Sequence, residues 1–108
     1  MIGYSHYRIA AAAVILLVGL ATGAEPVTHT VAIEGTRFDP EMLTVKAGDT
    51  VVWINKDPFP HTATAQTGAF DSKSIGSDKS WKYTLRKKGV LTYFCRLHPT
   101  MKGTLHVE

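Results

Sequence analysis

The chain has 108 residues, with 12 Lys and Arg against 9 Asp and Glu and a net charge of +3. This length suffices for one domain. The cationic residues are scattered, which argues against a nucleic-acid-binding protein. A single cysteine cannot form an internal disulfide, so the disulfide-reinforced scaffolds of small exported proteins are excluded.

The N-terminus has the pattern of an export signal. Arg8 precedes an apolar run from Ile9 to Ala21, and small residues follow the run. This order is typical of a secretory signal peptide. A membrane anchor is the alternative, but the run has only 13 residues, and a transmembrane helix needs about 20. We predict a signal peptide over residues 1–24, no stable membrane insertion after its cleavage, and a periplasmic or otherwise exported domain over residues 25–108.

The predicted mature domain of 84 residues is small and carries a net charge of +2, because cleavage removes only Arg8. A domain of this size buries only about 60–65% of its unfolded surface. It therefore needs a well-patterned core or a bound ion for stability. An exposed thiol would be oxidised in an exported protein, so we expect Cys95 to be protected.

The hydrophobic pattern after residue 24 predicts β-strands. Apolar and polar residues alternate over 27–33, 81–86 and 103–108, and Val51–Ile54 is apolar on both faces, which is typical of a central strand. Residues that favour turns separate these runs. The spacing predicts an all-β fold of six to eight short strands, a Greek-key β-sandwich or barrel. We expect Met42 to fill a gap in the core.

The segment CRLHPTM brings together three side chains that bind metals. Cys95, His98 and Met101 follow one another at intervals of three residues on the connection between two predicted strands. A fourth donor has to come from another part of the chain. His61, which follows the turn NKDPFP, is the best candidate.

Two imidazoles, one thiolate and one thioether favour copper. Zinc usually takes four strong ligands and gains little from methionine. Two His and one Cys with a weak axial Met form the blue-copper arrangement, whose soft sulfur ligands suit Cu(I) and whose imidazoles also hold Cu(II). One ligand set for both oxidation states permits fast single-electron transfer and explains a protected cysteine. Zinc or no metal remains the alternative, because each residue alone could be structural.

We do not expect an enzyme. Cys95 and His98 could form a nucleophile and a base, but they lie three residues apart on a tight turn and have no orienting group. The sequence shows no second cluster of ligands, and we expect His29 and His106 to be structural. A module for copper buffering or delivery is the alternative function. Several Met or Cys residues are usual in copper delivery, so the single cysteine favours an electron carrier.

Three segments, RFDPEMLTVKAGDTVVWINKDPFPHTAT, GAFDS and LTYFCRLHPTMKGTLHVE, resemble a cupredoxin of the plastocyanin/amicyanin type. The short spacing C-x2-H-x2-M is most similar to amicyanin. The resemblance implies a blue copper protein with His61, Cys95 and His98 as equatorial ligands and Met101 as the weak axial ligand. It also implies that Asn55 ties the His61 loop to the Cys95 loop, since outer hydrogen bonds orient ligands.

The resemblance further implies a docking surface. An edge of His98 would reach the surface within an apolar patch, and redox protein partners would dock there transiently. The residues expected in the patch are Pro58, Phe59, Pro60 and Pro99. Lys56, Arg96 and Lys102 are expected to rim the patch and to favour an acidic partner. We expect a monomer.

Overall fold

The structure is a computed structural model that describes residues 24–108, so the predicted signal peptide over residues 1–24 lies outside the described residues except for Ala24. The described chain contains eight strands and no helix. Accordingly, nothing in residues 24–108 is a helix long and apolar enough to cross a membrane. In chain order the strands are β1 (Thr28–Ile33), β2 (Phe38–Asp39), β3 (Met42–Val45), β4 (Thr50–Asn55), β5 (Thr64–Ala65), β6 (Ser80–Thr84), β7 (Gly89–Cys95) and β8 (His98–Val107).

Two four-stranded sheets form a sandwich, which confirms the all-β prediction. One sheet has the order β2-β1-β4-β6 and the other β3-β8-β7-β5. Strand β1 runs parallel to β4, and β3 runs parallel to β8. The position of β4 between two neighbours confirms the predicted central strand. Its burial alternates, however, because Val51 and Trp53 face the core while Val52 and Ile54 are only half-buried on the other face.

Aromatic side chains from both sheets fill the core. The rings of Trp53 on β4 and Tyr93 on β7 meet edge to face with their centroids 5.4 Å apart. Phe38 packs against Tyr93 at 4.6 Å, and Phe70 against Trp53 at 5.5 Å. The Tyr93 ring occupies the space that a Cβ would need at Gly103, its partner on β8, so only glycine fits there.

Strands β8 and β3, which are neighbours in the second sheet, test two details of the sequence analysis. Leu105 and Val107 on β8 are buried, as the alternating pattern predicts. The prediction for Met42 is wrong, because this side chain is 64% exposed. In the short strand β3, Leu43 and Val45 point inward, and the alternation of a strand therefore turns Met42 to solvent.

Three turns meet at one end of the sandwich. Asn55 at the end of β4 pairs with Ile33 at the end of β1, so the chain leaves both strands side by side. Strand β7 ends at Cys95, which pairs with His98 across the β7–β8 turn. The candidate donors lie on two of these turns.

Candidate metal centre

Cys95 is the fully buried end residue of β7. The antiparallel pairing of β7 with β8 is regular up to Phe94 and Lys102 and then shifts, so that Cys95 pairs with His98. The residues between His98 and Lys102 therefore bulge out of the ladder. The predicted donors Cys95 and His98 flank the β7–β8 turn, and Met101 lies in this bulge.

His61 lies on the connection between β4 and β5, and this connection brings it close to Cys95. Its backbone N–H and C=O both bond to Ile75, at 3.1 and 2.7 Å, and its side chain is fully buried. Its Nδ1 atom lies 3.6 Å from the Sγ of Cys95, although the two residues are 34 positions apart in the chain. The turn after β4 thus brings the predicted fourth donor to the β7–β8 loop.

The structure places His98 next to both the thiol and His61. The Nδ1 of His98 lies 3.9 Å from the Sγ of Cys95, and the rings of His98 and His61 are 5.1 Å apart. The three donor atoms all lie within 4.8 Å of one another, and among the His, Cys, Asp and Glu residues of 24–108 they form the group that could hold a metal ion. Met101, the remaining predicted donor, is buried near the start of β8 with 5% exposure.

The donor spacing fits a metal ion. A nitrogen and a sulfur that bind one ion at bond lengths of about 2.0–2.1 and 2.3 Å, with tetrahedral or trigonal angles, are separated by about 3.6–3.8 Å. The observed sulfur–nitrogen distances are 3.6 and 3.9 Å. An ion could therefore be held with little movement of the protein. The burial of Cys95 also protects its thiol from oxidation, as the sequence analysis predicts for the single cysteine.

Thr62 connects the two donor loops. Its backbone N–H donates to the Sγ of Cys95 at 3.3 Å, and its hydroxyl accepts a hydrogen bond of 2.9 Å from the N–H of Arg96. A donor aimed at sulfur stabilises the thiolate, the form that binds metals. Sequence reasoning missed Thr62, because a threonine next to a histidine carries no distinctive signal.

The prediction that Asn55 ties the His61 loop to the Cys95 loop is wrong, because its side chain bonds to other groups. Its side-chain amide donates to the carbonyls of Phe59 and Ile75 at 2.8 and 2.9 Å, and its Oδ1 accepts from the N–H of Asp57 at 2.9 Å. Asn55 therefore braces the turn before His61 from within and against the segment at Ile75. Asn55 is the last residue of β4, so its side chain lies beside the turn that follows β4. Its hydrogen bonds therefore go to this turn and to Ile75, and not to the β7–β8 loop.

Asp57 is a further residue that sequence reasoning missed. Its Oδ2 lies 2.8 Å from the Nε2 of His61, and its carboxylate accepts hydrogen bonds from the N–H groups of Gly35 and Thr36. Burial opposes ionisation, but these backbone donors and His61 hold the pKa of Asp57 below its ordinary value. A carboxylate four residues before a candidate histidine ligand was the available sequence signal.

The other two histidines of the described chain lie outside the group, in agreement with their predicted structural role. His29 on β1 pairs with Asp49 through Nε2 and Oδ2 at 2.9 Å. His106 is half-buried on β8, opposite Val90 of β7.

Exposed apolar residues lie on both donor loops. His98 is half-buried, and the four predicted patch residues are all exposed: Pro58, Phe59, Pro60 and Pro99. Leu97, which the sequence analysis did not include, is 54% exposed and Phe59 is 53% exposed. We call these residues together with His98 the apolar patch.

The cations around the apolar patch differ from one another. Lys56 and Lys102 are exposed, and neither takes part in an ion pair within residues 24–108. Arg96 instead donates from Nε and a terminal nitrogen to Asp71 Oδ2, at 3.3 and 3.1 Å. Arg96 therefore forms an ion pair that the sequence did not predict, while its side chain stays largely exposed.

Comparison with known proteins identifies the family. The family model of the cupredoxin-like domain matches residues 8–107. Amicyanin from Paracoccus versutus is 34% identical to this chain over an alignment of 83 residues. The alignment covers 72% of this chain and 63% of the relative. A plastocyanin from Scenedesmus fuscus is 31% identical over 84 residues, which cover 66% of this chain and 86% of the relative. The chain thus spans less than two thirds of the amicyanin that it matches.

Solved structures show the same fold. A Cu(I) form of an amicyanin variant superposes with a TM-score of 0.71 at 29% identity, over 82% of this chain and 88% of that chain. A copper-containing nitrite reductase from Thermus scotoductus gives a TM-score of 0.71 at 30% identity, over 82% of this chain but 24% of that chain. These likenesses confirm the resemblance to a cupredoxin of the amicyanin and plastocyanin type. The chain belongs to the cupredoxin-like family.

Proposed function

We propose that this chain is an exported blue copper protein that carries single electrons between redox partners. The observation that carries the proposal is the fully buried thiol of Cys95 with two imidazole nitrogens at 3.6 and 3.9 Å. Relatives named amicyanin and plastocyanin, and a solved amicyanin with Cu(I), support copper as the metal.

In this proposal the side chains of His61, Cys95 and His98, together with the thioether of Met101, would hold the copper ion. A copper ion bound there would accept and release one electron between its Cu(II) and Cu(I) states. Thiolate and thioether stabilise the reduced state, and the imidazoles retain the oxidised state. This mixed donor set is unlike the four strong ligands of a structural zinc site.

The protein's own contribution is to hold the donors in place. Thr62 fixes the thiol with an N–H donor, Asn55 braces the turn before His61, and the loop containing Cys95 continues directly into two paired strands. A rigid donor set changes little when the charge of the ion changes. A small rearrangement lowers the barrier to electron transfer.

We propose a carrier and not a catalyst. The nitrite reductase that shares this fold is a much longer protein, of which this chain covers 24%. Within residues 24–108, one cluster of His, Cys, Asp or Glu has the spacing of a metal site. Its buried position beneath the loops suits an electron, which needs no substrate cleft.

Partners would dock transiently on the apolar patch around His98. Exposed apolar residues let a partner approach the imidazole edge closely, and a small contact area allows fast release. Lys56 and Lys102 give the rim a positive charge, so an acidic partner surface would be attracted. The chain would act as a monomer in these encounters.

Export follows from the predicted signal peptide over residues 1–24, with a mature domain over residues 25–108. N-terminal sequencing of the protein secreted to the periplasm would test this boundary. A mature chain starting at Glu25 is the expected result, and a chain that keeps Arg8 and the apolar run would contradict it.

The function is tested by adding Cu(II) to the mature protein and recording the visible spectrum. The wild type should bind one ion per chain and develop the intense colour of a copper–thiolate bond. Cys95→Ser should lose this colour, because the thiolate is removed. His106→Gln is the matched control and should keep it, since His106 lies outside the donor group. A colourless wild-type protein would refute the proposal.

A further inference from the structure

Asp57 contacts the side of His61 that faces away from the donor group. Its Oδ2 lies 2.8 Å from His61 Nε2, while His61 Nδ1 faces Cys95 Sγ at 3.6 Å. His61 is fully buried and Asp57 is 6% exposed. A neutral imidazole carries one N–H, so donation from Nε2 to the carboxylate leaves the lone pair on Nδ1.

A separate turn holds the Asp57 carboxylate. The N–H of Gly35 donates to Oδ1 at 2.7 Å, and the N–H of Thr36 donates to Oδ2 at 2.8 Å. Both residues have positive φ, 64° and 59°, which is uncommon for a β-branched residue such as Thr36. Successive N–H groups of this kind form an anion-binding concavity. The β1–β2 turn thus binds the carboxylate that contacts His61, although the turn itself carries none of the donors.

We infer that Asp57 is a positioning residue, which fixes His61 as the Nε2–H tautomer and directs Nδ1 into the metal centre. The inference rests on the proposed function, in which His61 is a copper ligand. Removal of a hydrogen bond of this kind typically lowers metal affinity about 10- to 100-fold. The carboxylate also makes the imidazole a stronger donor and so favours the oxidised ion.

The chain offers a matched control at the other end of β4. Asp49 Oδ1 accepts from the N–H of Val27, and its Oδ2 accepts from the N–H of Lys46 and faces His29 Nε2, all at 2.9 Å. Asp57 has the same pattern of one backbone donor on one oxygen and a backbone donor plus an imidazole on the other. Substitutions of both aspartates should disturb the fold alike, but only Asp57 touches a donor of the metal centre.

The first measurement is the tautomer of His61 in the metal-free full chain, read from long-range proton–nitrogen NMR at a pH where imidazoles are neutral. We expect the proton on Nε2 in the wild type and in Asp49→Asn. Asp57→Asn should lose this preference, and Asp57→Glu should restore part of it. A wild-type His61 with its proton on Nδ1 would overturn the inference, and this result does not depend on any variant folding.

The second measurement is copper affinity by competition with a chelator, together with the reduction potential. Asp57→Asn should weaken Cu(II) binding about 10- to 100-fold and raise the potential, while Asp49→Asn should leave both unchanged. Equal effects of the two substitutions, or no effect of Asp57→Asn, would overturn the inference. If the wild type binds no copper but His61 has the Nε2–H tautomer, the proposed function fails and the positioning role of Asp57 stands.

Discussion

At the scale of single residues, the thiol of Cys95 is contacted by groups from two turns, the one after β4 and the one between β7 and β8. The Nδ1 atoms of His61 and His98 lie 3.6 and 3.9 Å from it, and the N–H of Thr62 donates to it. Each of these groups is placed by backbone pairing at the end of a strand. The donor set is therefore part of the folded β-sandwich and does not have to be assembled around the ion.

Met101 sets the balance between the two oxidation states in this account. Met101→Gln should lower the reduction potential, because a stronger oxygen donor on the axis favours Cu(II) over Cu(I). The potential of the copper-loaded protein can be measured by redox titration. Met42→Gln is the control, since Met42 is 64% exposed on β3. An unchanged potential in Met101→Gln would show that Met101 is not the axial ligand.

The sequence predicts the metal donors better than it predicts the residues that hold these donors in position. Cys95, His98 and Met101 share one short segment, and their spacing is readable without a structure. Asp57 is different, because its partners Gly35 and Thr36 lie 22 and 21 residues away. Such a contact depends on how β1 and β4 align, and no local pattern encodes that alignment.

The same reason explains the unpredicted ion pair of Arg96 and the error for Asn55. Arg96 meets Asp71, which lies 25 positions away, so no local pattern indicates this ion pair. The hydrogen bond of Asn55 to Ile75 likewise crosses 20 positions. Alternating burial, by contrast, is a local property, and the eight strands could therefore be predicted well in kind and approximate number.

At the scale of elements, Asp49 ties the start of β1 to the turn between β3 and β4. Its carboxylate accepts hydrogen bonds from the N–H groups of Val27 and Lys46 and pairs with His29. The hydrogen bond with His29, followed by those with the two backbone groups, lowers the pKa of Asp49 to about 2. The folded state therefore favours the ionised carboxylate more than the unfolded chain does.

This difference predicts how stability depends on pH. A carboxyl with a depressed pKa stabilises the fold above its unfolded value of about 3.9, and the contribution disappears as the pH falls towards 2. The free energy of unfolding of the metal-free chain should fall over this interval, as measured by urea denaturation at several pH values. Asp57 and Asp71 also have lowered pKa values and act in the same direction.

Asp49→Asn isolates the contribution of one aspartate. The variant should be less stable than the wild type at pH 5, and the difference should shrink as the pH falls to about 2. A difference between the two proteins that stays constant over this range would contradict the assignment to Asp49 ionisation.

At the scale of the whole molecule, the metal centre and the β6–β7 turn lie at opposite ends. Strand β7 runs from Gly89 to Cys95, and seven residues of strand extend about 20 Å. Arg86, Lys87 and Lys88 precede Gly89 and are exposed at the far end. Lys56 and Lys102, in contrast, belong to the end that carries the apolar patch.

This arrangement predicts that charge near the apolar patch controls encounter rates. Electron transfer from the reduced protein to hexacyanoferrate(III), an anion, should slow with rising salt, and transfer to the cation tris(phenanthroline)cobalt(III) should not. Replacement of Lys56 and Lys102 by Glu should slow the anionic reaction roughly tenfold, as followed by stopped-flow absorbance. Lys88→Glu is the control at the far end and should have a smaller effect. Salt-independent rates with both oxidants would contradict steering.

The central claim is a copper ion held by a donor set that stays in place when an electron is gained or lost. Voltammetry of the copper-loaded mature protein tests this claim most directly. The account predicts a reversible one-electron wave that persists over repeated cycles with the copper content unchanged. A wave that decays because the protein releases copper on reduction would contradict the account and favour a protein that buffers or delivers the metal.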